Sequence, residues 1–201
     1  MLDRFLRPLI DRPLALAGNA IAATGMSANA VTMIGLSIGL LAVPALAAQR
    51  YDLALVAIIA NRLSDGLDGA VARCQGVSDF GGYLDIVADM IFYGAVVFGF
   101  ALAQPGNALW AALLLASFLG TSSSFLAYAA LAAKRGLSTE AQGKKSFFYS
   151  AGLIEGSETV IFLVLICLVP QHFALLAQIF AALCGIAVLG RIAAAYASFK
   201  N

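Results

Sequence analysis

Ser64–Asp89 reads SDGLDGAVARCQGVSDFGGYLDIVAD, five aspartates and one arginine inside a chain that is 62% hydrophobic and 11% charged over 201 residues. A soluble domain carries about 25% charged residues. Here the apolar excess arrives in runs of roughly 20 residues, the length of a helix that crosses a bilayer core. An all-α integral membrane protein is expected, and the concentration of acid in one stretch then calls for a chemical reason.

Outward from that stretch, six apolar spans are expected at 29–48, 53–73, 81–103, 107–133, 148–169 and 173–198. They form a six-transmembrane-helix bundle in a single domain over 1–201, with no internal repeat. In the preceding segment, 1–24, Arg4, Arg7 and Arg12 are spread among Leu2, Phe5, Leu6, Leu9 and Ile10, which suits an amphipathic helix lying in the membrane interface. It lacks the compact apolar core and small-residue cleavage site of a signal peptide.

Positive charge orients the bundle. Arg4, Arg7, Arg12, Arg73, Lys134, Arg135, Lys144, Lys145 and Lys200 fall on one side, and Arg50 on the other. Both termini and the acidic stretch are therefore expected on the cytoplasmic side, in a bacterial inner membrane. Cys74, Cys167 and Cys184 have no metal-binding spacing, and no basic stripe with interleaved aromatics points to nucleic acid.

Asp65 and Asp68 are three apart and share one helix face; Asp85 and Asp89 are four apart and share a face of the next helix. The short link through Gly76 makes these helices antiparallel neighbours, so the two acidic pairs converge. An ionised aspartate at the bilayer centre costs about 2.5–3.5 kcal/mol on insertion scales, and clustered carboxylates also repel. A divalent cation relieves both costs, and carboxylate oxygens suit Mg²⁺, Mn²⁺ or Ca²⁺. Gly69 leaves space for close approach, Ala72 keeps the same face open, and Arg73 supplies a fixed cation suited to phosphate. Together these describe a diphosphate site. Caps and surface ion pairs account for single aspartates such as Asp79, but poorly for four at this spacing. The only histidine, His172, falls in an outer loop, which leaves an aspartate as the candidate general base.

The pattern Asp65, Asp68, Gly69, Ala72, Arg73, Gly81, Asp85, Asp89 resembles the signature of the CDP-alcohol phosphotransferase family. The resemblance implies a six-helix membrane enzyme with an N-terminal interfacial helix. Two Mg²⁺ or Mn²⁺ ions would be held by Asp65, Asp68, Asp85 and Asp89, with Asp89 also the general base. Gly69, Arg73 and Ser78 would contact the CDP moiety. GMSANAVT, Gly25–Thr32, is similar to the family's opening motif at the first helix, which brings Asn29 and Thr32 to the nucleotide; Ala28 stands where the family has proline. Homodimers are common in the family, and Gly35 and Gly39 suit close helix packing, either between subunits or within one.

The implied reaction transfers a phosphatidyl group from a CDP-linked lipid, CDP-diacylglycerol, to a small alcohol acceptor, releasing CMP among the membrane lipids. One alternative transfers a phospho-alcohol from a soluble CDP-alcohol to diacylglycerol. A different class, a cation transporter using the aspartates, is disfavoured by the missing repeat and by acids lying near one face. Acceptor candidates are Lys134, Arg135, Glu155, Glu158 and Arg191, with the Ser122–Ser124 run read as helix-packing glue. LIEGSET, Leu153–Thr159, resembles a segment of the inositol-phosphate branch, but Gly156 and Thr159 replace its arginines. That departure argues against simple transfer to inositol phosphate and leaves a glycerol-phosphate, cationic or neutral polyol acceptor open.

Overall fold

The computed structural model describes residues 3–136 and 156–200. Lys144, Lys145 and Glu155 lie outside the described residues. The chain forms α1 (Asp3–Ala23), α2 (Ala28–Leu40), α3 (Ala42–Ala47), α4 (Tyr51–Gln75), α5 (Asp79–Ala103), α6 (Ala108–Lys134), α7 (Gly156–Leu168) and α8 (Phe173–Phe199). Among the described residues there is no strand.

The first expected span is one helix interrupted at Leu41. Pro44 has no N–H to give the Leu40 carbonyl, so the helix steps there and resumes as α3. Its start is well defined. Ser27 is extended (φ −76°, ψ 152°) and its hydroxyl accepts from the Ala30 N–H at 3.2 Å, which satisfies one of the free donors of the first turn.

Among the described residues, four segments are long and apolar enough to cross a membrane: Ala28–Ala47, Asp79–Ala103, Pro105–Lys134 and Pro170–Phe199. α4 has the length, 25 residues, but carries Asp52, Arg62, Asp65, Asp68 and Arg73. The described part of the expected fifth span, α7, has 13 residues. Leu53, Val56, Leu109, Leu119 and Leu189 are exposed on helix surfaces, a distribution suited to contact with lipid.

α4 is the centre of the arrangement and packs against α1, α2, α3 and α7, while α5 packs on α2, α3 and α6, and α6 pairs with α8. Ile58, Phe92, Phe100, Leu114, Leu163, Ile166 and Phe173 are fully buried or nearly so in one core. Phe100 stacks on Phe173 at 4.7 Å between ring centroids and Phe162 on Phe180 at 4.2 Å, tying α5, α7 and α8 together.

The two glycines of α2 serve packing within one chain. A Cβ at Gly35 would lie 2.6 Å from the Ser64 Cβ of α4; one at Gly39 would lie 2.7 Å from the Phe92 ring and 2.9 Å from the Asn61 amide. Their absent side chains allow α2 to seat against the polar face of α4. Gly39→Ala is expected to lower stability by about 1–3 kcal/mol through this overpacking, read as a lower midpoint in thermal unfolding in detergent. Ala28→Pro, at the first residue of α2 after an extended Ser27, is expected to hold or raise that midpoint, by up to about 1 kcal/mol.

Candidate active site

α4 and α5 are joined by the turn Gly76–Ser78. Gly76 has φ +103°, a backbone region that suits glycine. Ser78 then caps α5, its hydroxyl accepting from the Gly81 N–H at 3.0 Å. This reversal sets the acidic face of α4 against that of α5. Asp65, Asp68 and Asp85 each bring a carboxylate oxygen within 4.8 Å of the others. Asp68 is 6% exposed and Asp85 is exposed, so the cluster has a buried floor and an open side.

Helix α2 completes the floor. Thr32 donates its hydroxyl to Asp68 Oδ2 at 2.6 Å, which orients the most buried of the carboxylates. Asn29 lies near Ser78 and Gly81: a Cβ at Gly81 would meet Ser78 Oγ at 3.0 Å and Asn29 Oδ1 at 3.3 Å. At Gly69 the nearest atom to an added Cβ is Arg73 Nη1, at 3.4 Å. The sequence-expected residues Asn29, Thr32, Asp65, Asp68, Gly69, Arg73, Ser78 and Asp85 thus gather at one end of the α2–α4–α5 packing. α1 backs the same end, with Gly18 against Ala70 and the Cys74 thiol directed to Asn19 Oδ1 at 2.7 Å.

Asp89 is one turn further along α5 and stands outside the three-carboxylate group. Its Oδ1 accepts from Arg62 Nη2 at 2.8 Å and its Oδ2 from the Tyr93 hydroxyl at 3.3 Å. Arg62 also approaches Asp65 Oδ2 at 3.6 Å. Sequence reading passes over Arg62 and Tyr93. The signal available there is an arginine within the 53–73 apolar run, three residues before Asp65 and so on its face.

Beyond Asp89 a cavity of about 610 Å³ opens between α5, α6, α7 and α8. Asp89, Tyr93, Ser122, Thr159 and Arg191 are among its lining residues. Asp89 also lines the narrow cleft that contains Asp65 and Asp68, so it stands between the acidic cluster and the larger space. Arg191 donates to the Thr121 carbonyl at 2.8 Å, which turns its guanidinium toward α6. Of the other acceptor candidates, Lys134, Arg135 and Glu158 are not in the cavity wall. Arg135 instead donates to the Phe199 carbonyl at 3.1 Å and lies over the Phe199 ring, tying α6 to the end of α8. Thr159, which stands where the inositol-phosphate branch has arginine, is buried in that wall.

Replacing Thr32 by Val would leave the buried Asp68 carboxylate without its hydroxyl donor. Thermal unfolding in the presence of a chelator is expected to show a loss of about 1–3 kcal/mol for Thr32→Val, with most of it retained in Thr32→Ser.

Comparison with known proteins agrees with this geometry. A profile of the family described as CDP-alcohol phosphatidyltransferase matches residues 25–189. The chain is 47% identical over 202 residues to the inner membrane protein YnjF of Escherichia coli K12, covering 100% of this chain and 98% of that protein. It is 39% identical over 98 residues to an archaetidylinositol phosphate synthase of Pyrococcus horikoshii, covering 48% of this chain and 52% of that one. Its fold matches the crystal structure of Mycobacterium tuberculosis phosphatidylinositol phosphate synthase with CDP-DAG bound, at a TM-score of 0.74 and 20% identity, over 92% of this chain and 94% of that one. With the acidic signature drawn together between α4 and α5, the chain belongs to the CDP-alcohol phosphatidyltransferase family.

Proposed function

We propose that this protein transfers a phosphatidyl group from CDP-diacylglycerol to the hydroxyl of a small alcohol, releasing CMP. The observation that carries the reading is Asp89, which borders both the acidic cleft and the 610 Å³ cavity. The open side of the acidic cluster, at Asp85, offers a place for a metal-bound diphosphate, and the cavity a place for an acceptor.

The residues present fit a divalent cation: three carboxylate oxygens within 4.8 Å of one another, with Asp68 oriented by Thr32. Asp65, Asp68 and Asp85 would hold Mg²⁺ or Mn²⁺, two ions by family resemblance. The metal would supply charge neutralisation of the diphosphate and of the CMP leaving group. Arg73 adds a fixed positive charge beside the open backbone of Gly69, and Asn29, Thr32 and Ser78 border the CDP moiety. Asp89 takes the proton of the acceptor hydroxyl as that oxygen bonds to phosphorus and the bond from phosphorus to the CMP oxygen breaks.

Arg191, Ser122 and Thr159 line the cavity side and suit the polar part of a small alcohol. A lipid donor is supported by the CDP-DAG bound in the mycobacterial structure, and family membership favours a transferase over an ion carrier. The orientation proposed is with the acidic end cytoplasmic, since Arg73 closes α4 there and Lys134, Arg135 and Lys200 cluster at the adjoining ends of α6 and α8. α1 is proposed to lie in the membrane interface on that side, and the whole chain to act as one domain in a homodimer.

The test is CMP release from cytidine-labelled CDP-diacylglycerol with Mg²⁺ or Mn²⁺ and a panel of glycerol 3-phosphate, serine, inositol, inositol phosphate and choline. Release with one acceptor, lowered at least about 100-fold in Asp89→Asn, is the expected result. Release that ignores both chelator and Asp89→Asn would refute the assignment.

A further inference from the structure

The cavity beyond Asp89 has a chemical bias that its volume does not show. Much of its wall is apolar, and among the described residues its charged groups are Asp89 and Arg191. Arg191 is already engaged with α6. Its Nη1 donates to the Thr121 carbonyl at 2.8 Å and approaches Ser124 Oγ at 3.5 Å, and its guanidinium carbon lies 5.8 Å from the Phe125 ring centroid.

The hydroxyls of the wall are biased in the same way, because each spends its proton locally. Thr121 donates to the Phe118 carbonyl at 2.9 Å and Ser123 to the Gly120 carbonyl at 3.2 Å, both within α6. Ser122 donates to Met90 Sδ at 2.8 Å, and Tyr93 to Asp89 Oδ2 at 3.3 Å. A hydroxyl has one proton and two lone pairs. What these side chains have left to offer a ligand is therefore lone pairs, and the ionised Asp89 offers only lone pairs as well. The wall is rich in acceptors and poor in donors.

A phosphate monoester suits such a wall badly. Its oxygens are strong acceptors, and it carries about −1.5 to −2 charge at neutral pH. It would face lone pairs, one occupied guanidinium and the acidic cluster beyond Asp89, and losing its water without gaining donors is costly. The O–H groups of a polyol are complementary to the same oxygens. We propose that the acceptor is an uncharged, phosphate-free polyol, with Ser122 a specificity-determining residue that accepts one of its hydroxyls. This rests on the transferase reading and narrows its acceptor. One hydroxyl loses its proton to Asp89 as its oxygen bonds to phosphorus and CMP leaves; the others donate to the α6 oxygens.

Matched pairs test this on the full-length protein in detergent: inositol against inositol phosphate, and glycerol against glycerol 3-phosphate, with CDP-diacylglycerol as donor. For at least one pair, kcat/KM for the unphosphorylated member is expected to exceed that of its phosphate by at least about tenfold. Ser122→Ala is expected to raise the KM for the polyol about three- to tenfold and leave the KM for donor unchanged. Gly156 lines the same cavity, and a Cβ there would meet nothing within 4 Å. Gly156→Arg thus adds donors in open space, and is expected to narrow the preference against phosphate at least about tenfold. Release of CMP with a phosphorylated, zwitterionic or cationic acceptor alone would overturn the proposal and leave the transfer reaction standing. Equilibrium binding of tritiated inositol and of inositol phosphate, without donor, decides the matter if no acceptor yields CMP. Saturable binding of inositol but not of its phosphate would then support the proposal and count against the transfer reaction alone. Preferential binding of the phosphate, or binding of neither, would overturn the proposal.

Discussion

Like charges brought together inside an apolar helix bundle repel one another, and both ends of the problem are visible at the α4–α5 reversal. Asp65, Asp68 and Asp85 converge within 4.8 Å, with Asp68 almost wholly buried. Thr32 gives Asp68 one hydrogen bond and Arg62, paired with Asp89, also approaches Asp65, but three converging carboxylates still exceed what these supply. The remaining negative charge is the physical basis for expecting a divalent cation there, and the rest of the architecture can be understood as keeping that arrangement in place.

α4 bears this burden. It is long enough to cross a membrane, yet too polar to do so facing lipid along its whole length, and it is enclosed by α1, α2, α3 and α7. Its polar side meets partners chosen for it. Gly35 and Gly39 allow α2 close, and Asn61 bonds back to the Gly35 carbonyl. α1, with Gly18 on Ala70, covers the end at which the acids sit. Burying charge in this way is tolerable where the charged group meets a partner, as Asp68 meets Thr32 and Arg62 meets Asp89.

Asp89 gives the site its direction. The acidic cluster lies on one side of it and the cavity lined by α5–α8 on the other. The cavity wall differs from the cluster in character: it is largely apolar, with Tyr93, Ser122, Thr159 and Arg191 among its polar points. Arg135, one of the acceptor candidates, joins the ends of α6 and α8.

Much of this was legible in the sequence. Apolar run length pointed to the helical membrane class, and the spacing of Asp65, Asp68, Asp85 and Asp89 on either side of a glycine turn pointed to two acidic faces turned toward each other, of which Asp65, Asp68 and Asp85 converge. The break at Leu41 falls inside the span expected as continuous over 29–48 and follows from Pro44. What only tertiary structure decided was the inequality among the four acids. Arg62 comes from α4, Tyr93 from α5 and the Asn61 support from its bond to α2, and no one-dimensional spacing tells which carboxylate a guanidinium will reach. The same holds for the acceptor candidates. Lys134 and Arg135 close α6 while Arg191 lies inside α8, and of the three Arg191 lines the cavity, because the packing of α6 against α8 turns it toward Thr121 while directing Arg135 to Phe199. Periodicity assigns a residue to a face; the neighbour that the face meets is set by the packing of helices distant in the chain.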